Sequence, residues 1–163
     1  MIGTIHSGRL EVWNKIVENC GLQNTQRYLY LLAGTISSLI LGKRTLRKHN
    51  IDSSNVHIYG LSIKDTAYKM RISKVALDVQ FGTQTGLTMR TIESLASQTK
   101  LITTNAQVKK YDFYNSKNIC VIDKENPVVP KEFLESEYVN IPEEILYKYS
   151  LHNWIKKIFE VDS

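Results

Sequence analysis

Short apolar runs alternate with longer amphipathic runs along most of this chain, and that alternation restricts the fold more than any other feature. A parallel strand is buried on both faces and reads as a brief apolar segment, whereas the crossover helix that follows it repeats every 3.6 residues. Apolar segments fall at residues 1–5, 28–32, 56–59, 75–79, 100–103 and 118–122. Between them lie amphipathic stretches at 10–20, 36–48, 62–71 and 87–97, and a helical turn near Val108. Leu10, Trp13, Ile16 and Val17 share one face of the first stretch, and Ser62 stands where the third needs an N-cap. The repeated strand-helix order predicts an α/β fold, a Rossmann-like parallel sheet with helices on both faces.

The pattern changes after Ile122. All three prolines, Pro127, Pro130 and Pro142, lie in the last section, which ends in an amphipathic run around Trp154, Ile155, Ile158 and Phe159. We therefore expect an α/β unit over residues 1–125 and a helical extension over 126–163 that packs on it. The apolar stretch from Tyr28 to Leu41 is broken by Gly34, Thr35, Ser37 and Ser38, which argues against a membrane span. Polar residues interrupt the N-terminus in the same way, so no signal peptide is read and a cytoplasmic location is the default. Two cysteines a hundred residues apart, Cys20 and Cys120, read as small buried hydrophobes, with a disulfide left open. The four histidines show no metal-ligand spacing, so no metal is expected.

Charge is unevenly placed. Residues 1–50 carry seven Lys/Arg against two acids, residues 51–122 nine against five, and residues 123–163 five against nine. A basic body with an acidic tail suits a phosphate-bearing ligand, an anionic membrane or nucleic acid, and equally an ordinary solvated surface. Nucleic acid ranks last, because the aromatics do not interleave with a basic stripe.

The stretch from Lys74 to Asn105, KVALDVQFGTQTGLTMRTIESLASQTKLITTN, carries the most chemistry. Its loop, Gln80 to Gly86, joins the end of a strand to the start of a helix, where open α/β sheets bind ligands. Free amides and the positive dipole end at Gly86, Leu87 and Thr88 suit a diphosphate. Glu93, two turns into the helix, can accept hydrogen bonds from ribose hydroxyls or pair with Arg90 three residues before it. Asp78 reads as a strand-end residue capping the loop. Tyr111, Phe113 and Tyr114 read as core, and His6 as a local hydrogen-bonding residue. No nucleophile elbow, Walker loop or dinucleotide fingerprint is present.

The run GLTMRTIESLASQTKLITTN resembles the C-terminal, donor-binding domain of GT-B glycosyltransferases, in particular bacterial enzymes that build O-antigen and capsule. IGTIHSGRLE, YDFYNSKNICVID and YSLHNWIKKIF are similar to that group as well, so the resemblance spans nearly the whole chain. Many retaining members bracket the turn with two glutamates eight positions apart. Glu93 matches the second, which binds the donor ribose. Thr85 stands in place of the first, which contacts the donor sugar, so the sugar and the stereochemistry are left open. Gly86 matches the family glycine, and Thr88 replaces a second one. The resemblance also places Gly3, Ser7, Gly8 and Arg9 at the diphosphate, with Arg9 offering a two-pronged guanidinium to the leaving group, although a solvated Arg at a helix start is an equal reading.

The resemblance implies transfer of a sugar from a nucleoside diphosphate sugar in cell-surface polysaccharide synthesis, without a tightly bound cofactor. It implies an N-terminal acceptor-binding domain or separate subunit as partner, so that this chain alone would turn over little or nothing. It also implies peripheral association with the cytoplasmic face of the inner membrane. A non-catalytic interaction module or regulatory subunit on the same fold is the alternative, favoured by the missing first glutamate.

Overall fold

The computed structural model describes residues 1–5, 8–20, 27–48, 51–80 and 86–159. Three strands, β1 (Ile2–Thr4), β2 (Tyr30–Leu32) and β3 (Val56–His57), form one parallel sheet in that order. Another three, β4 (Val75–Asp78), β5 (Lys100–Thr103) and β6 (Ile119–Val121), form a second parallel sheet. Gly3 pairs with Leu31 and Leu31 with Val56; Leu77 pairs with Ile102 and Ile102 with Cys120. The expected fold class is thus the observed one: parallel sheets flanked by helices in a Rossmann-like arrangement.

The helices follow the periodic stretches: α1 (Arg9–Asn19), α2 (Ile36–Lys48), α3 (Ile63–Arg71) and α4 (Met89–Ala96). Ser62 caps α3 as expected, its hydroxyl accepting the Asp65 amide at 3.0 Å. The fourth helix starts two residues later than the expected 87, because Thr88 leaves helical geometry to act as its N-cap. Alternation along β4 and β5 sends side chains to opposite faces. Leu77 and Ile102 meet Val12 and Ile16 of α1, while Ala76 and Leu101 meet Leu95 of α4 and Met70 of α3. Helices therefore cover both faces of the second sheet.

The edges β1 and β4 face each other. Met1 and Ile2 share a cleft of about 840 Å³ with Val75, Ala76 and Leu77, which neither Thr4, Arg9, Val79 nor Thr88 lines; apart from it, Arg9 ties the carboxyl ends of the two strands. The spatial order is β3-β2-β1 beside β4-β5-β6, which reverses direction between β1 and β4. That is the switch point at which doubly wound sheets leave a ligand crevice. Helix α1 lies across it: Leu10 packs with Leu31, Leu46 and Val56 of the first sheet's core, and Val12 and Ile16 pack on the second.

The last section is largely docked. It contains α5 (Lys131–Glu135), α6 (Glu143–Lys148) and α7 (Leu151–Phe159). Phe133 and Val129 join the α1 side of the core, and Ile145, Leu146 and Tyr149 pack against the other side. Lys100, almost wholly buried in the middle strand β5, donates from Nζ to the Phe133 carbonyl at 2.7 Å and to Ser136 Oγ at 2.8 Å, and also meets the Ser136 carbonyl. It thereby satisfies carbonyls that the end of α5 leaves open. Asn118 holds the following segment through both amide atoms, donating to the Val139 carbonyl at 2.7 Å and accepting its N–H at 2.8 Å. Neither α6 nor α7 holds a fully buried residue, and α7 adds no side chain to the core clusters. Among the described residues, no helix is long and apolar enough to cross a membrane.

Candidate functional site

The carboxyl ends of β1 and β4 converge on Arg9. Its Nε donates to the Val79 carbonyl at 3.1 Å, and its Nη1 donates to Thr4 Oγ1 at 3.0 Å and the Thr4 carbonyl at 3.4 Å. Gly3 lies close beneath it: a Cβ there would stand 3.2 Å from Nη1, so the guanidinium would have to give by a few tenths of an ångström. Gly8 precedes the helix with φ +86°, the left-handed region that side chains avoid, and accepts the Val12 amide as the first helical bond of α1. A Cβ there would stand 3.2 Å from Lys124 Nζ, so a second cation lies over the start of α1. The segment behind Lys124 is anchored along that helix, Lys15 donating to the Glu125 carbonyl at 2.7 Å and Asn19 to the Pro127 carbonyl at 3.1 Å.

The start of α4 is fixed from below. Asp78, at the end of β4 and 8% exposed, accepts the Thr88 hydroxyl at 2.7 Å. Thr88 Oγ1 in turn accepts the Thr91 amide at 3.2 Å. Asn105, buried after β5, donates to the Gly86 carbonyl at 2.9 Å and so pins the end of the loop. Burial pushes the Asp78 carboxyl above its usual range, against the opposing pull of the Thr88 hydroxyl and the nearby Arg9 and Arg90 guanidinium groups. With Thr88 capping, the amides of Met89 and Arg90 have no acceptor within the helix. They leave a positive helix end close to Asp78 and Arg9.

Glu93 pairs with Arg90, Oε2 to Nη1 at 2.5 Å, and Arg90 also reaches the Ile2 carbonyl of β1 at 3.5 Å. The pair therefore lies on the side of α4 that reaches β1, at the first residue of that strand. The i, i+3 ion pair that spacing offered as the alternative is present, and about a third of the Glu93 side chain is exposed.

The structure thus brings together Gly3, Gly8 and Arg9 at one strand end and Gly86, Leu87 and Thr88 at the neighbouring one, with Glu93 on the flank. Ser7, Thr85 and His6, with residues 81–84 of the glycine-bearing loop, lie outside the described residues. Leu87 turns partly into the core beside Ile92. Sequence reading named the Arg90–Glu93 pair and missed Lys124, Asn105 and the reach of Arg90 to the Ile2 carbonyl. Lys124 gave no signal, because it reaches the site only through the fold; Asn105 ends a strand at a ligand edge, which is a readable cue. Tyr111 and Phe113 stack at 5.4 Å, with Phe113 buried, in keeping with a core role. No cluster of three or more metal-ligating side chains occurs among the described residues. No family model, no curated protein and no solved structure matches this chain.

Proposed function

We propose that the chain is the donor-binding half of a glycosyltransferase, holding a nucleoside diphosphate sugar at the switch point between β1 and β4. The observation that carries this reading is the position of Arg9. It fastens the two strand ends together immediately beside the capped start of α4, where main-chain amides and helix dipole favour a diphosphate. Lys124 adds a second cation over α1. In glycosyl transfer, negative charge grows on the departing diphosphate, and fixed N–H donors with a guanidinium stabilise it without rearranging. In this reading Glu93 takes the ribose hydroxyls, with Arg90 holding its other oxygen. The acceptor and its binding groups belong to a partner domain or subunit, and the work is done on the cytoplasmic side, in cell-surface polysaccharide synthesis.

A second reading, a non-catalytic interaction module, is favoured by one fact: Arg9 and Glu93 already have protein partners. Calorimetric titration with UDP, GDP and their sugars separates the two. The donor-binding reading expects saturable binding that weakens about tenfold or more in Glu93→Ala, whereas the module reading expects no saturable heat.

A further inference from the structure

Solvent meets α2 along Ile36, Ile40, Leu41, Arg44, Arg47 and Lys48. The other side of the helix packs through Gly42 and Leu46. A solvent stripe of this kind is normally polar. Here Ile36 is 70% exposed, Ile40 65% and Leu41 64%, and the helix carries four cations with no acid. The acid on the adjoining turn, Asp52, keeps its carboxylate on Ser54.

We propose that this stripe is the surface through which the chain rests on an anionic lipid bilayer, Ile36, Ile40 and Leu41 entering the acyl boundary while Arg44, Arg47 and Lys48 meet lipid phosphates. Charge selects a polyanionic partner, and the apolar half selects among polyanions. A nucleic acid would leave the three aliphatic side chains in water, and α2 offers no aromatic ring for bases to stack on. A bilayer takes up both halves, because an interfacial helix buries its apolar face just below the headgroups. This proposal does not depend on nucleotide binding, since none of these residues lies at the switch point.

The test is co-sedimentation of the full chain with vesicles of phosphatidylcholine alone or mixed with phosphatidylglycerol. Binding to the anionic vesicles and not to the neutral ones is expected. Each Lys or Arg near such a surface contributes roughly fivefold in affinity. The double variant Arg44→Gln/Arg47→Gln should therefore bind at least about tenfold more weakly, and Ile40→Ser/Leu41→Ser should also lose binding. Both pairs are exposed, and circular dichroism verifies that they fold. The control pair Trp154→Ser/Ile158→Ser, on α7, should bind as the parent does. Equal binding to both vesicle types, no binding, a loss confined to the α7 pair, or capture of oligonucleotides in place of vesicles would each overturn it.

Discussion

Arg9 donates through Nε to the main-chain oxygen of Val79, 70 positions along the chain, while the same guanidinium holds Thr4 Oγ1. One side chain thus joins two strand ends that share no ladder. Replacing it with methionine keeps an aliphatic stem of similar length and removes every donor, including the Nη1 that lies over Gly3. The Arg9→Met chain should lose about 1–3 kcal/mol of stability, the range for a partly buried carbonyl stripped of its donor. Urea unfolding checks this, with the midpoint falling and the slope unchanged.

Asp78 tests the electrostatics of the same corner. Its carboxyl titrates above the unfolded value because burial disfavours the charge. Between the unfolded and the raised folded value the native state holds more protons, so stability falls as pH rises through that window and stays lower above it. Asp78→Asn keeps an acceptor for Thr88 and removes the charge. It should therefore be more stable than the parent at neutral pH, with the advantage shrinking as pH drops toward 3.8. Chemical denaturation at several pH values measures the difference. A parent that gains stability from acid to neutral pH relative to the variant contradicts the assignment.

Lys100 is buried without a carboxylate partner, and its ammonium satisfies the end of α5. Lys100→Met should fill the space and leave the Ser136 carbonyl without a donor, and the Phe133 carbonyl with only the long 3.4 Å bond from Ser136 Oγ, at a cost of about 1–3 kcal/mol. Limited proteolysis should then cut first in the segment after α5. Unchanged thermal stability would show that these bonds are not made in solution.

Much of the fold could be read from the sequence because each strand is a short apolar run and each helix keeps its period. Ser62 shows the same at the level of a single cap, where hydroxyl chemistry decides the boundary locally. Two aspects of the site were not legible. Lys124 acts from the far side of the second sheet, and only the path of the chain along α1 delivers it to Gly8. The Glu93 carboxylate has two chemically sound partners at that spacing, a ribose or Arg90, and sequence offers no means to choose between them; the structure pairs it with Arg90. The edge-to-edge meeting of β1 and β4 is likewise a tertiary outcome, set by α1 packing on both sheets.

Asn105 links the site to its scaffold, because its side-chain amide holds the Gly86 carbonyl while its oxygen caps the next turn at Gln107. Asn105→Ala should cost about 1 kcal/mol of stability through the lost bonds. It should weaken UDP or GDP binding more than it weakens the fold, since the loop end would no longer be held in place. Titration and thermal melting on the same sample separate the two effects.

Amide hydrogen exchange with and without saturating UDP or GDP addresses the diphosphate cradle most directly. Bound nucleotide should slow exchange at Gly86–Arg90 and at Gly8–Leu10, with little change along α2 or α7. Protection elsewhere, or none at any concentration, would contradict a diphosphate seated between the starts of α1 and α4.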